Sequence, residues 1–367
     1  MVKPGYKQTE IGVIPEDWDC TAAKHLMKIE TGSRNTEHKT DIGKYPFFVR
    51  SQNVEHIDTY HYDCEAVLTA GDGVGTGKVF HYYTGKFDAH QRVYVMSNFH
   101  GITGRYFYNY FSENFGSEVS KYTAKSSVDS VRRDMIADMI IPLPSISEQE
   151  RIAEALSDVD ELISSLEKLI EKYKSIKATC LQQMFPQKGE TTPKMRLPGF
   201  TGAWEQRKFE DIAVRSSSIS SESGLPRVEY EDIISGTGRL NKDIFAKESD
   251  KTGIVFHKGD VLYGKLRPYL QNWLLPSFNG LAVGDFWVLQ PQNADSSFLY
   301  RLIQSRQFDE VANQSTGTKM PRSDWKLVSK TEFFIPSAIG EQAAIGAYFE
   351  QLDNLITLHQ RECFLSI

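Results

Sequence analysis

A glycine-rich segment that ends in lysine is the part of this sequence whose residue types best suit the binding of a phosphate group. It reads Gly71-Asp72-Gly73-Val74-Gly75-Thr76-Gly77-Lys78. A nucleotide-binding P-loop needs a glycine five residues before its Gly-Lys pair and a serine or threonine after it, whereas Asp72 and Val79 stand there. The segment also lacks the spacing of a dinucleotide-binding loop. It therefore predicts a turn between strands, or a turn whose backbone and Lys78 approach a phosphate group.

The second half of the chain has a comparable run. It reads Gly259-Asp260-Val261-Leu262-Tyr263-Gly264-Lys265-Leu266-Arg267. Two copies of a Gly-Asp and Gly-Lys combination favour a shared structural turn that also carries function.

Neither a metal site nor an enzyme motif is recognisable. The histidines His56, His61, His81, His90 and His100 lack the companions of a zinc site. The four cysteines, Cys20, Cys64, Cys180 and Cys363, are scattered, as expected of reduced cytosolic thiols. We find no Asn-Pro-Pro-Tyr/Phe methyltransferase motif, no Phe-x-Gly-x-Gly cofactor loop and no clustered Asp/Glu-x-Lys nuclease set. We therefore expect no catalytic residue, metal or cofactor in this chain.

Composition is that of a globular protein. The 367 residues are 40% hydrophobic and 12% aromatic, which argues against disorder. The net charge of −6 does not favour nucleic-acid binding by itself, although a local basic face is compatible with it. No apolar run reaches the ~20 residues of a membrane helix, and no signal peptide is evident. These features predict a cytoplasmic protein without a membrane span.

A repeat indicates which elements position the candidate residues. Residues 148–163 and 341–356 share a Glu-Gln pair, an isoleucine, an aspartate and a Leu-Ile pair at matching positions. Each copy follows a mixed region with short β-like runs, such as Arg92–Met96 and Phe286–Leu289, and with some helix, as in Ser296–Val311. The chain therefore repeats one plan twice.

The first repeated helix is predicted to begin after Ser147, with acidic residues in its first turn. Its apolar seam spans four heptads, and at ~1.5 Å per residue the helix is about 55 Å long. Such a seam needs a partner, which the second copy can provide. The predicted packing residues are Ile152, Val159, Leu162, Leu166, Leu169, Tyr173, Ile176, Ile345, Leu352 and Leu355. The second copy is shorter, which predicts that Lys174–Gln183 lacks a partner.

Four motifs together resemble the specificity subunit of a type I restriction-modification enzyme. They are Pro142-Leu143-Pro144-Ser145-Ile146-Ser147-Glu148-Gln149, Leu181-Gln182-Gln183-Met184-Phe185-Pro186, Leu197-Pro198-Gly199-Phe200 with Trp204, and Gly317-Thr318-Lys319-Met320-Pro321-Arg322. Their order and spacing match the family over almost the whole chain.

The resemblance implies an α+β fold with two similar mixed α/β target-recognition domains, separated by two long helices packed as an antiparallel coiled coil. The expected segments are a first recognition domain (1–146), a central spacer helix (147–185), a linker (186–199), a second recognition domain (200–338) and a shortened C-terminal spacer helix (339–367). Each domain would read one half of a split DNA target. The two protein helices would set the gap between the half-sites at about one turn of the DNA double helix.

The resemblance also implies the partners of the chain. They are double-stranded DNA, two methyltransferase (modification) subunits and the restriction subunits, with no membrane involved. The chain itself would be non-catalytic and without a cofactor, because S-adenosylmethionine, ATP and Mg belong to the partner subunits. A free-standing DNA methyltransferase or nuclease, and a coiled-coil scaffold that binds no DNA, are the alternatives.

Base reading needs side chains with paired hydrogen-bonding groups, such as arginine or lysine for guanine and glutamine for adenine. Beside the glycine segments, the DNA-binding candidates are Lys78, Gln91 and Arg92 in the first half and Lys265, Arg267 and Tyr269 in the second. Lys125, and the pair Lys319 and Arg322, precede the Pro-containing run that ends each half and are candidates for holding phosphate. No rule converts them into a target sequence or a spacer length.

Overall fold

The computed structural model describes residues 2–123, 130–187, 189–247, 249–314 and 320–365. The chain forms two compact units, Met1–Leu162 and Ile163–Ile367, and the boundary falls inside one long helix. Helices and strands mix in both units, in agreement with the predicted α+β class. Within the described ranges, no helix is long and apolar enough to cross a membrane.

The first unit contains a series of strands followed by helices. The strands are β1 (Tyr6–Thr9), β2 (Gly12–Pro15), β3 (Asp19–Ala22), β4 (Lys28–Thr31), β5 (Tyr45–Phe48), β6 (Glu55–Ile57), β7 (Tyr62–Ala70), β8 (Phe80–Ala89), β9 (Val93–Ser97) and β10 (Ile140–Leu143). The helices are α1 (Gly104–Thr123), α2 (Arg133–Ala137) and the first part of α3 (Ile146–Gln183), with 3-10 turns at Ala23–His25, Thr36–His38 and Gly73–Gly75.

A six-stranded sheet with the order β4-β9-β7-β8-β5-β6 forms the centre of the first unit. Its strand β7 ends in five consecutive buried residues, the apolar run expected of a strand covered on both faces. β7 pairs antiparallel with β8 and β9, and β5 pairs in parallel with β8, where Phe48 lies beside Ala89. This pairing brings the residues after β5 and after β8 close to one another.

An aromatic column fixes α1 on this sheet. Phe107, Phe111 and Phe115 recur every four residues and so share one face of the helix, where all three are fully buried. Their ring centroids lie 5.1 and 4.4 Å apart, and Phe80 of β8 lies 5.5 Å from Phe111. Burial of each ring stabilises the unit by about 2–3 kcal/mol.

The second unit has shorter strands. They are β11 (Trp204–Lys208), β12 (Ala213–Ser216), β13 (Ile219–Ser220), β14 (Arg227–Val228), β15 (Ile233–Ile234), β16 (Arg239–Leu240), β17 (Gly253–Phe256), β18 (Val261–Gly264), β19 (Trp273–Leu274), β20 (Gly280–Ala282), β21 (Phe286–Pro291) and β22 (Glu332–Pro336). Its helices are the second part of α3, α4 (Phe209–Ile212), α5 (Ser296–Leu302), α6 (Arg306–Ala312), α7 (Trp325–Lys330) and α8 (Ile339–Leu365), with 3-10 turns at Tyr230–Asp232 and Pro268–Leu270.

Two four-stranded sheets, β12-β21-β18-β19 and β13-β17-β20-β14, form the body of the second unit. All four residues of β18 are buried, and Tyr263 of this strand stacks on Trp287 of β21 with 5.5 Å between ring centroids. Phe349 and Leu352 of α8 belong to the same core. The helix is therefore an integral part of this unit.

Helices α3 and α8 run antiparallel where they meet in the second unit. Tyr173 stacks on His359 at 5.7 Å, and the Lys177 Nζ lies 2.7 Å from Asp353 Oδ1. Further along α3, Cys180 Sγ lies 3.5 Å from the Tyr348 hydroxyl. Residue numbers rise along α3 as they fall along α8, which matches the antiparallel packing implied by the family.

This direction corrects one prediction about the shorter helix. Lys174–Gln183 was expected to lack a partner, but this part of α3 is the one that faces α8, and Cys180 within it is 4% exposed. The earlier seam residues Val159 and Leu162 are 37% and 51% exposed, and their packing stays a prediction. The antiparallel direction explains why Lys174–Gln183 has a partner, because the part of α8 that contacts α3 meets its later residues.

The repeated glutamine ties each long helix to its own domain. Gln149 Nε2 donates to the carbonyls of Pro144 (3.0 Å) and Gly101 (3.1 Å), and its Oε1 accepts the Thr103 N–H at 2.9 Å. Gln342 repeats the arrangement: its Nε2 donates to Pro336 O at 2.8 Å and its Oε1 accepts Asp295 N–H at 2.9 Å. Both side chains are almost completely buried. The glutamine of the duplicated Glu-Gln motif therefore has a structural role, because it holds the start of each long helix against its own domain.

The helix cap differs slightly from the prediction. The Ser145 hydroxyl, rather than that of Ser147, accepts the Glu148 N–H at 3.3 Å, and α3 begins at Ile146. Ser145 therefore stands at the position from which a serine side chain reaches the third helical N–H.

Candidate nucleic-acid interface

The glycine segment of the first unit is a turn that requires close approach of the backbone. A Cβ on Gly75 would lie 2.5 Å from the Arg50 carbonyl oxygen, and one on Gly71 would lie 2.9 Å from that of Arg92. The turn leads into strand β8 and not into an α-helix, so it lacks the helix N-terminus of a P-loop. Lys78 is exposed at its end and stays a candidate for contact with phosphate.

Asp72 in this turn joins two arginines. Its Oδ1 accepts a hydrogen bond from Arg50 Nη1 at 2.8 Å, and its Oδ2 lies 3.7 Å from Arg92 Nε. The Asp72 side chain is 25% exposed, whereas those of Arg50 and Arg92 are 48% and 64% exposed. The carboxylate is thus partly enclosed, and both guanidinium groups reach the surface. We call Asp72, Arg50 and Arg92 the first cluster.

The residues beside the first cluster are ordered by further polar contacts. Gln91 Nε2 donates to Asn35 Oδ1 at 2.6 Å, and Arg34 Nε lies 2.9 Å from Oδ2 of the fully buried Asp88. His90 Nδ1 accepts the Arg92 N–H at 3.0 Å. Burial, together with the charge of Arg50, lowers the pKa of His90, so the ring is neutral at pH 7. These contacts order the segment that carries the predicted Gln91 and Arg92.

The second unit brings three predicted residues together after strand β18. Arg267 N donates to Pro321 O at 2.7 Å, and Ser323 N donates to Lys265 O at 2.9 Å. Leu266 and Arg322 form the bridge between these two segments. Arg322, which lies far from Lys265 and Arg267 in sequence, therefore belongs to the same local surface as these two residues.

A second carboxylate joins two cations on this surface. Asp285 Oδ2 accepts hydrogen bonds from Arg322 Nη2 at 3.0 Å and Nε at 3.3 Å, and its Oδ1 lies 3.5 Å from Lys265 Nζ. Burial raises the pKa of Asp285, but Arg322 and Lys265 outweigh burial and hold that pKa below its usual range. The carboxylate is therefore ionised at neutral pH. We call Asp285, Lys265 and Arg322 the second cluster.

Tyr230 supports the backbone of the second cluster. Its hydroxyl accepts the Leu266 N–H at 2.8 Å and lies 3.1 Å from the Leu266 carbonyl oxygen. A Cβ on Gly264 would lie 2.6 Å from this hydroxyl, so glycine is needed there. Arg267 has a left-handed backbone with φ of 48°, and Tyr269 is 58% exposed two residues later. These contacts hold the segment from Lys265 to Tyr269 in a defined conformation.

Some predictions about these surfaces change or stay open. The Gly259-Asp260 pair precedes strand β18, where the Asp260 carboxylate accepts the His257 N–H at 2.8 Å, so it is not the counterpart of Gly71-Asp72, which follows strand β7. Lys125 and Lys319 lie outside the described residues. Arg34, Asn35, Arg50 and Asp285 were not predicted, because only strand pairing brings them beside the candidates.

The packing candidates fall into three groups of exposure. Leu166, Ile345 and Leu352 are buried; Ile152, Leu169, Tyr173, Ile176 and Leu355 are partly buried; Val159 and Leu162 are exposed. In the ranges that the structure describes, no three His, Cys, Asp or Glu side chains converge as a metal site requires.

Comparisons with known proteins agree with this architecture. A sequence model of the type I restriction modification DNA specificity domain matches residues 15–177. The chain is 27% identical to the type I restriction enzyme EcoDI specificity subunit of Escherichia coli, over 93% of this chain and 82% of that protein. It is 23% identical to the MjaVIII specificity subunit of Methanocaldococcus jannaschii, over 95% and 89% of the two chains.

Solved structures share the fold. The S subunit of a type I restriction-modification system from M. genitalium superposes with a TM-score of 0.64 at 16% identity, over 95% of this chain and 92% of that one. A chain from a structural study of complex assembly and conformational transition in the type I system superposes with a TM-score of 0.52 at 16% identity, over 96% of this chain and 94% of that one. The chain thus resembles the specificity subunits of type I restriction-modification enzymes over almost its whole length, and residues 15–177 match their DNA specificity domain.

Proposed function

We propose that this chain is the sequence-specific DNA-recognition subunit of a type I restriction-modification complex, and that each cluster lies on the surface that reads one half of a split target. The observation that carries the proposal is the occurrence of a similar cluster in both units. Each cluster follows a central buried strand, β7 or β18, and each contains two exposed or half-exposed cations around one carboxylate.

The surroundings of the two clusters are alike in a second respect. In the first unit, Asp72 forms a bridge with Ser130, three residues before α2. In the second unit, Leu266 forms a bridge with Arg322, three residues before α7. The same kind of backbone frame therefore supports both surfaces, as expected if the two domains perform the same task on two half-sites.

The side chains of the two surfaces suit base edges in the major groove. Arginine and lysine can donate to guanine O6 and N7, and the Gln91 amide can pair with adenine, each contact being worth about 1–3 kcal/mol of discrimination. Lys78 and Arg267 are assigned to phosphate or base contacts, and Tyr269 to apolar contact with the DNA. Clustered cations bind DNA locally even though the whole chain is acidic.

The remaining parts of the proposal concern the complex. The long helices set the gap between the half-sites and dock two methyltransferase subunits, and restriction subunits join this assembly. S-adenosylmethionine, ATP and Mg bind to those partners. The chain itself catalyses nothing, in keeping with the specificity subunits that it resembles, and a free-standing methyltransferase or nuclease is not favoured.

The test is selection of DNA from random duplexes by the chain co-expressed with the methyltransferase subunits of its own system. We expect enrichment of a motif in two parts separated by a fixed gap, and binding that weakens steeply with salt. Enrichment of no motif, or methyl transfer by the purified chain alone, would refute the proposal.

One substitution tests whether the second unit contacts the selected DNA sequence. Lys265→Ala should remove about one unit from the slope of log affinity against log salt if Lys265 contacts phosphate, or relax one base position by about 1–3 kcal/mol if it contacts a base. The matched control is Lys194→Ala, which removes an exposed lysine of the linker that pairs with Glu190. Equal behaviour of the two variants would contradict the placement of the interface.

A further inference from the structure

Each cluster holds a carboxylate, although only cations attract the phosphates of DNA. Asp72 and Asp285 are 25% and 29% exposed, so neither is a freely solvated surface acid. Each is in contact with two cations from segments distant in sequence. A carboxylate so placed repels phosphate and reduces the charge of its cluster from two positive units to one.

In the second cluster, the carboxylate also fixes the orientation of a guanidinium group. Arg322 donates through Nη2 and Nε to one oxygen of Asp285, at 3.0 and 3.3 Å, which orients the plane of the guanidinium group. A guanidinium held in this way keeps its remaining N–H groups for one direction only. Guanine O6 and N7 require such fixed geometry, whereas phosphate accepts a cation from many directions.

The first cluster repeats this arrangement with different residues. Arg50 Nη1 donates to Asp72 Oδ1 at 2.8 Å, and Arg92 approaches the other oxygen at 3.7 Å. The cation pair is arginine with arginine here and arginine with lysine in the second cluster. The position of the carboxylate between two cations is therefore shared although the cations differ.

We infer that Asp72 and Asp285 are specificity-determining positioning residues, each of which weakens binding to arbitrary DNA by restraining two cations that would otherwise engage phosphates. This inference rests on the proposed function. A cation can contact phosphate only by leaving its carboxylate, so non-specific binding loses contacts that a correct base sequence does not require. Specificity here comes from penalising the wrong complex.

The experiment compares Asp285→Asn with wild type, each in complex with its methyltransferase subunits. Each additional phosphate contact steepens the slope of log affinity against log salt by about 0.9, which is roughly a tenfold gain in affinity at ~0.1 M salt relative to 1 M. We expect Asp285→Asn to bind random duplex about tenfold more tightly, with a slope steeper by about one. Affinity for the selected target should rise less, so the specificity ratio falls.

Controls separate this role from charge and from folding. Glu310→Gln removes an equal charge from an exposed ion pair with Arg306 and should leave the specificity ratio unchanged. Asp285→Glu keeps the charge and should retain the wild-type affinity for random duplex. If Asp285→Asn does not fold, Asp72→Asn provides the same test in the first unit, with Asp138→Asn as its control, because Asp138 pairs with the exposed Lys24.

The half-site affected gives a second readout. In selection from random duplexes, Asp285→Asn should make the bases of one half of the motif degenerate, and Asp72→Asn those of the other half. Random-duplex affinity, salt slope and motif all unchanged from wild type would overturn the inference, as would an effect equal to that of Glu310→Gln. A wild-type complex that selects no motif would instead contradict the proposed function.

Discussion

Replacing Gln149 by leucine should loosen the start of α3 from the first domain without unfolding that domain. Gln149 is completely buried and binds backbone groups of Pro144 and Thr103 at 3.0 and 2.9 Å. Leucine has a similar volume but no hydrogen-bonding group. The substitution therefore removes the polar contacts and leaves most of the packing in place.

The size of the effect follows from the groups left without partners. The carbonyl of the exposed Gly101 can bind water instead of Gln149, so it adds little. The buried Pro144 carbonyl and the Thr103 N–H lose their partner, at about 1 kcal/mol or more each. The expected loss is about 2 kcal/mol, equivalent to roughly a thirtyfold increase in local opening.

Hydrogen exchange followed by mass spectrometry measures this opening directly. Amides in the first two turns of α3 should exchange about thirtyfold faster in Gln149→Leu than in wild type. The matched control is Gln182→Leu, which changes an exposed glutamine near the end of the same helix. Exchange within about threefold of that control would refute the assignment of Gln149 as the tie.

The repeat supplies an independent check of the same reasoning. Gln342 also binds two partly or fully buried backbone groups, Pro336 O and Asp295 N–H. Gln342→Leu should therefore cost about the same 2 kcal/mol at the start of α8. A large effect in one unit and none in the other would show that the two glutamines do not share one role.

Further substitutions test other parts of the structure. Asp353→Asn removes the charge shared by Lys177 and Arg301 at 2.7 and 2.9 Å, so the urea midpoint of the second unit should fall; because Asp353 is 25% exposed, the loss of unfolding free energy should be smaller than the ~3 kcal/mol of a fully buried pair. Burial raises the pKa of Asp232, but its lysine partners outweigh burial and hold the pKa below 3.8. Its stabilisation is complete above about pH 4 and is lost as the pH falls through the lower folded pKa, so Asp232→Asn should flatten the loss of stability that sets in below about pH 4. Phe111→Ala opens a cavity in the aromatic column and should cost about 3–5 kcal/mol, read as a lower melting temperature; an unchanged value would contradict the packing.

Local signals in the sequence predicted local structure well. The run Arg92–Met96 overlaps β9, which spans Val93–Ser97, and the apolar spacing of Ser296–Val311 indicated helix. That region is nevertheless two helices, α5 and α6, because the Ser305 hydroxyl accepts the Phe308 N–H at 3.3 Å and starts a new helix. Capping by one serine is a weaker signal than apolar periodicity, and the interruption was therefore missed.

Which residues form the two clusters depends on the register of the paired strands, and the sequence alone does not reveal that register. Gly264 pairs with Phe286 between β18 and β21, and the next backbone hydrogen bond joins Lys265 N to Asp285 O at 2.9 Å. A shift of one residue would put these side chains on opposite faces of the sheet. Lys265 was selected by its type alone, whereas its carboxylate partner could be found only from the pairing of the strands.

The net charge of the two clusters is small, as is expected of an acidic chain that binds DNA together with partner subunits. Each cluster contains two cations and one carboxylate, so each contributes about one net positive charge. Affinity that arises from counterion release grows with the number of phosphates neutralised, and two such clusters neutralise few. If the clusters bind DNA as proposed, they are therefore suited to discriminating between sequences more than to holding DNA by themselves. Under the proposed function, most phosphate contacts come from the methyltransferase subunits, and tight binding to the target requires the assembled complex.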